Sequence, residues 1–86
     1  MNINVRYFAS LREALGPQET FALADSGATT SVAAVRDSLI ARGGRHAELL
    51  ARGRAVRCSL NQALCDEAMP VRAGDELAFF PPVTGG

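Results

Sequence analysis

Apolar and polar side chains alternate from the start of the chain: Ile3, Val5 and Tyr7 are separated by Asn4 and Arg6, with Asn2 before them and Phe8 after. A period of two belongs to a strand with one buried face, so the chain is read as opening on a strand. The period then lengthens. Ala9 to Leu15 places Leu11, Ala14 and Leu15 at helical spacing, with Ser10 available as a cap and Gly16-Pro17 as a stop, which predicts a short helix. Thr20 to Ala24 returns to strand character through Phe21 and Leu23, before the turn cluster Asp25-Ser26-Gly27.

The clearest helical pattern starts at Thr30 or Ser31 as N-cap, sets Val32, Val35, Leu39 and Ile40 on one stripe, and stops at Gly43-Gly44. Arg36, Asp37 and Arg42 fall on or beside its solvated side and receive no function. Arg45 to Arg52 predicts a second short helix that packs Leu49 and Leu50 and ends at Gly53. His46, within it, has no partner at ligand or catalytic spacing and is read as a solvated surface histidine. Ala55 to Leu60 and Ala63 to Cys65 flank Asn61-Gln62, a two-residue hairpin turn in which Asn accepts a positive φ. That register sets Cys58 opposite Cys65. Val71 to Asp75 reads as a turn into a last strand, Glu76 to Phe80, with Leu77 and Phe79 on one face and Ala78 and Phe80 on the other.

Strands on either side of one crossover helix predict an α+β fold, a mixed sheet with that helix on one face. The last strand is expected beside the first, parallel to it, at the sheet centre. Residues 1–86 form one domain in this reading, with 81–86 as a projecting C-terminal tail.

Composition narrows the function. Nine arginines and no lysines balance nine acidic residues, so net charge gives no argument for nucleic acid or an anionic membrane. Without lysine, the chain offers no side-chain amine to an acyl transfer. Met1 to Arg6 lacks the pattern of a signal peptide and no apolar run is long enough to span a bilayer, which makes the cytoplasm the expected compartment. Two cysteines are too few for a metal site or a disulfide framework; in a reducing compartment both are expected as free thiols, small apolar residues filling a strand pair, with a redox pair as the competing reading for Cys58 and Cys65. No nucleophile–base pair, metal-ligand cluster or phosphate loop is present, so a stand-alone enzyme is the least favoured class.

The remaining chemistry lies at the end: Phe79-Phe80-Pro81-Pro82-Val83-Thr84-Gly85-Gly86. Pro81-Pro82 is a stiff extended spacer, and Gly85-Gly86 presents the terminal carboxylate without side-chain bulk, which suits insertion into a narrow channel. A carboxylate must be activated before it can transfer its acyl group, and slim residues let an enzyme reach round it.

The residues that carry a family resemblance are Val5 to Glu13, Leu60-Asn61-Gln62, and Ala73 to Ala78 leading into Phe79 to Gly86. Together they resemble the small, sulfur-carrying subunit of molybdopterin synthase (MoaD-like), of the ubiquitin-like β-grasp sulfur carriers. The resemblance implies a β-grasp sheet of about five strands with one main crossover helix and short helices. It implies that an E1-like adenylating enzyme (MoeB-like) uses ATP to adenylate Gly86, the chain itself binding no cofactor. A sulfur donor, such as a cysteine desulfurase or rhodanese-like protein, then yields a thiocarboxylate. The tail, Pro81, Pro82, Val83, Thr84, Gly85 and Gly86, would enter the synthase large subunit (MoaE-like) and give its sulfur to a cyclic pterin precursor, building the dithiolene in a heterotetramer whose catalytic groups belong to the large subunit. Phe8, Leu64 and Phe80 match an apolar partner-binding patch, with a core position as the competing reading for Phe8 and Leu64. Arg12 matches a docking arginine, with a solvated arginine as its competitor. The other functions compatible with the tail are a sulfur carrier for thiamine or amino-acid biosynthesis, a ubiquitin-like modifier of lysines, and a passive interaction domain.

Overall fold

The computed structural model describes residues 2–23 and 30–82, and their elements run in the order β1 (Asn2–Tyr7), α1 (Ala9–Leu15), β2 (Gln18–Ala22), β3 (Thr30–Ser31), α2 (Val32–Ile40), α3 (Gly44–Leu50), β4 (Arg57–Leu60), β5 (Ala63–Cys65), β6 (Pro70–Val71) and β7 (Glu76–Phe80). The main sheet has five strands in the order β2-β1-β7-β4-β5. β7 runs parallel to β1, with Val5 beside Leu77 and Tyr7 beside Phe79, and antiparallel to β4, with Cys58 beside Phe79. The last strand is therefore central, as the pattern predicts, and its middle residues Leu77, Ala78 and Phe79 are all buried.

Alternation sorts the sheet into two faces. Ile3, Val5, Tyr7, Leu77, Phe79 and Cys58 turn inward and meet Leu11 of α1, Val32, Val35 and Leu39 of α2, and Leu50 of α3 in one core. Tyr7 and Phe79 stack there with ring centroids 6.5 Å apart. The opposite face carries Arg6, Ala78, Phe80, Ser59 and Leu64 by register and has no helix among the described residues.

Local chemistry fixes the boundaries. Ser31 caps α2 as expected, its Oγ accepting from the Ala34 N–H at 3.2 Å. α1 is not capped by Ser10: Phe8 is its N-cap, with no side-chain hydrogen bond, and Ala9 follows with φ +53°. The Asn61-Gln62 hairpin has both residues left-handed, at φ +50° and +71°, and it sets Cys58 opposite Cys65 as expected. Asn61 also ties the hairpin to the start of β7: its side chain donates to Asp75 at 3.1 Å and accepts from the Glu76 N–H at 2.9 Å.

Further details differ from the sequence reading: α3 runs Gly44–Leu50 rather than Arg45 to Arg52, and β4 starts at Arg57 rather than Ala55. β2 is Gln18–Ala22 rather than Thr20 to Ala24, because Glu19 lies on the inward side and continues the strand. A two-stranded sheet joins Thr30 to Val71 and Ser31 to Pro70, so Val71, read as part of a turn, is a buried strand residue and the turn proper is Arg72 to Asp75. Arg36, read as solvated, is only 3% exposed. Its guanidinium donates to the carbonyls of Leu50 and Ala51, both at 2.8 Å, to that of Arg54 at 3.3 Å, and to the Glu67 carboxylate at 2.8 Å. It thereby satisfies the open carbonyl end of α3, which has no basic residue of its own in its last turn. His46, read as a surface residue, is half-buried, with Nε2 2.8 Å from Glu19 Oε2 and its ring edge-on to Tyr7.

Candidate functional site

The tail follows the central strand of the main sheet in sequence. β7 is hydrogen-bonded on both sides, and Phe79, its penultimate residue, is 1% exposed. The next residue, Phe80, turns to the helix-free face and is half-buried, as are Pro81 and Pro82, so the spacer begins against the body of the domain. Val83, Thr84, Gly85 and Gly86, which the sequence reading assigned to the gripped and activated end, lie outside the described residues.

Two of the three exposed large apolar side chains among the described residues, Phe8 and Leu64, share a face with Phe80 by register; the third, Met69, lies beside β6. Phe8 follows Tyr7 onto the helix-free face, and its N–H donates to the Phe79 carbonyl at 3.2 Å, which places it beside Phe80. The left-handed Ala9 turns the chain sharply into α1 just after it. Leu64 lies across from Ser59, which lies across from Ala78, so Leu64 shares the face with Phe80 two strands away. Phe8 is 38% exposed and Leu64 68%, which excludes the core as the position of either. Exposed apolar side chains on one rigid face are what a protein-docking surface needs. Arg12 is exposed on α1, and no side-chain hydrogen bond or ion pair holds it among the described residues.

Two further arginines belong to this face and were not singled out by sequence reasoning. Arg6 lies with its guanidinium carbon 5.3 Å from the Phe8 ring centroid and 3.6 Å from a Glu76 carboxylate oxygen. Arg57 is exposed directly across from Phe80. The signal for both was strand alternation, which became usable only once the pairing of β1, β7 and β4 was known. The helix-free face thus offers apolar anchors flanked by fixed cations. On the opposite, core-facing side of β4, burial and then contact with Cys65 push the pKa of the Cys58 thiol up to about 12.

The ThiS family model matches residues 5–86. The chain belongs to the ThiS family. It is 42% identical over 84 residues to the molybdopterin synthase sulfur carrier subunit of Haemophilus influenzae and 40% identical to that of Escherichia coli, covering 98% of this chain and 99% of each relative. The Aedes aegypti molybdopterin synthase sulfur carrier subunit is 33% identical, covering 100% of this chain and 90% of the relative. Among solved structures, SAMP1 from Haloferax volcanii matches with a TM-score of 0.70 at 27% identity over the whole of both chains. The complex of subunits 1 and 2 of molybdopterin-converting factor from Helicobacter pylori contains a chain that matches at 0.66 and 23% identity, again over the whole of both chains. The fold is the ubiquitin-like β-grasp of these neighbours. No helix among the described residues is long and apolar enough to cross a membrane.

Proposed function

We propose that this chain is the sulfur carrier subunit of a molybdopterin synthase. The observation that carries the reading is full-length similarity to molybdopterin synthase sulfur carrier subunits at 42% and 40% identity, covering 98% of this chain and 99% of each relative. The chemistry follows from the tail. An E1-like enzyme adenylates the Gly86 carboxylate with ATP; sulfur from a donor protein displaces AMP and leaves a thiocarboxylate. The tail from Pro81 to Gly86 then reaches into the large subunit and delivers sulfur to the cyclic pterin precursor. Tethering makes that delivery effectively intramolecular, which removes much of the entropic cost of a bimolecular encounter. Phe8, Leu64, Phe80 and Arg12 would dock the body, while the catalytic groups reside on the partner. The cytoplasm is the compartment in which we place this chemistry.

The test is intact mass after incubation with the cognate E1-like enzyme, ATP and a sulfur source. One oxygen is exchanged for sulfur in the full chain and none in the chain lacking Gly86. A full chain that stays unmodified while a known carrier is converted in parallel refutes the reading. A second reading, a protein modifier, is favoured by the similarity to structures of the small archaeal modifier protein from Haloferax volcanii. It predicts adducts on target lysines that survive denaturation and reductant, and its own lack of lysine would prevent lysine-linked chains built on itself.

A further inference from the structure

The two cysteines take no part in the proposed chemistry, yet the fold sets them against each other. Cys58 and Cys65 are direct partners across β4 and β5, with their Sγ atoms 3.8 Å apart, and Cys58 Sγ also lies 3.4 Å from the Cys65 carbonyl oxygen. Opposed residues of an antiparallel pair have Cα atoms about 4.5–5.5 Å apart, inside the range of about 4.4–6.8 Å that disulfides span. Closing the sulfurs to a bond therefore requires side-chain rotation rather than strand movement. Their surroundings are unequal. Cys58 is 4% exposed and packed in the core, whereas Cys65 is half-buried on the edge strand. Burial, Cys65 itself and the nearby charges of Glu67 and Asp66 all hold Cys58 in the thiol form, so it is a poor first nucleophile.

We propose that Cys58 and Cys65 form a reversible dithiol–disulfide site at the sheet edge, oxidised by small-molecule disulfides, with Cys65 as the attacking sulfur and Cys58 as the resolving one. In the first step the Cys65 thiolate attacks one sulfur of the small disulfide, a mixed disulfide forms, and the displaced thiolate takes up a proton. In the second, Cys58 loses its proton as its sulfur attacks the Cys65 sulfur, and a second small thiol leaves. The chain gives up two electrons and two protons, and the small disulfide gains both as two thiols. Proximity drives the second step despite the protonated state of Cys58, because the two sulfurs are already in contact. β5 is held to the sheet through three register pairs, so the bond fastens an otherwise lightly held edge strand, and Leu64 with it.

The proposal is independent of the sulfur-carrier reading and is tested on the full chain with oxidised glutathione as the probe, followed by acid quench, alkylation of remaining thiols and intact mass. The native chain should become two hydrogens lighter, resist alkylation at both cysteines and return to the dithiol on reduction. Cys58→Ser should stop at a mixed disulfide of Cys65 with glutathione, and Cys65→Ser should keep a free thiol. A native chain that stops at the mixed disulfide, that stays unreacted at high oxidant, or that links to a second copy instead would overturn the proposal. So would a Cys65→Ser chain that reacts as fast as Cys58→Ser. The native-chain result decides the question even where a substituted chain fails to fold.

Discussion

Arg36 shows how far a single side chain can depart from the pattern around it. Its guanidinium is buried between α2 and the end of α3, with every bond directed at a main-chain carbonyl or the Glu67 carboxylate. Removing it would take the side-chain donor from the carbonyls of Leu50 and Arg54 and from part of a carboxylate, while Ala51 keeps the Arg54 N–H, so Arg36→Ala should lower unfolding free energy by about 3 kcal/mol, read by urea titration. Arg36→Lys should recover only a minor part, because an ammonium cannot reproduce the planar fork. Glu19 is the second such residue. Burial pushes its carboxyl up, but hydrogen bonds from His46, Tyr7 and Arg42, with the Arg42 charge, outweigh that and hold it below its ordinary value of 4.5. The unfolded chain therefore takes up this proton first as pH falls. The stabilisation from Glu19 is complete above pH 4.5 and is lost as the pH drops below that value through the folded-state pKa. Urea midpoints measured down an acid series should fall more steeply for the native chain than for Glu19→Gln. Neither residue was legible in the sequence, because periodicity sorts charges to the solvated side and both are inward charges whose partners lie far along the chain.

At the scale of elements, what could be read depended on length and turn chemistry. The helix stripe of α2 with its Ser31 cap, and the alternation of β1 and β7, have enough residues to show a period. β3 and β6 have two residues each and can show none; pairing Thr30 with Val71 is a tertiary event. β2 was displaced by two residues because the polar Glu19 interrupts its inward side, and that side is polar only because Tyr7 and His46 lie there to meet it. The hairpin was legible from spacing, and it carries a prediction. Gln62 holds φ +71° with a side chain, in a turn whose second position strongly favours glycine. Gln62→Gly should raise stability by about 1 kcal/mol, seen as a higher urea midpoint with an unchanged slope. Asn61→Gly should not help, since it discards the bonds to Asp75 and Glu76.

Across the whole molecule, the sheet order separates folding from function. Because β7 is central, the strand that completes the core at Phe79 also places Phe80, with Phe8 and Leu64, on a face that no helix covers among the described residues. The sequence named the linear tail motif and, through the resemblance, Phe8, Leu64, Phe80 and Arg12. The flanking Arg6 and Arg57 depend on strand pairing. This division makes the docking face and the tail separable by mutation. Leu64 is 68% exposed, so Leu64→Glu should change unfolding free energy by no more than about 0.5 kcal/mol. Facing an apolar partner surface, the same change should weaken binding to the synthase large subunit by about tenfold or more, through the buried charge it introduces. Deleting Gly86 should give the opposite pattern: near-normal stability, large-subunit binding retained through the body, and no acquisition of sulfur. Calorimetric titration with the large subunit, run beside thermal melts and the intact-mass assay, reads all three quantities on the same preparations. If Leu64→Glu bound as tightly as the native chain, the helix-free face would not be the docking surface. If it melted far below the native chain, Leu64 would be holding the fold together.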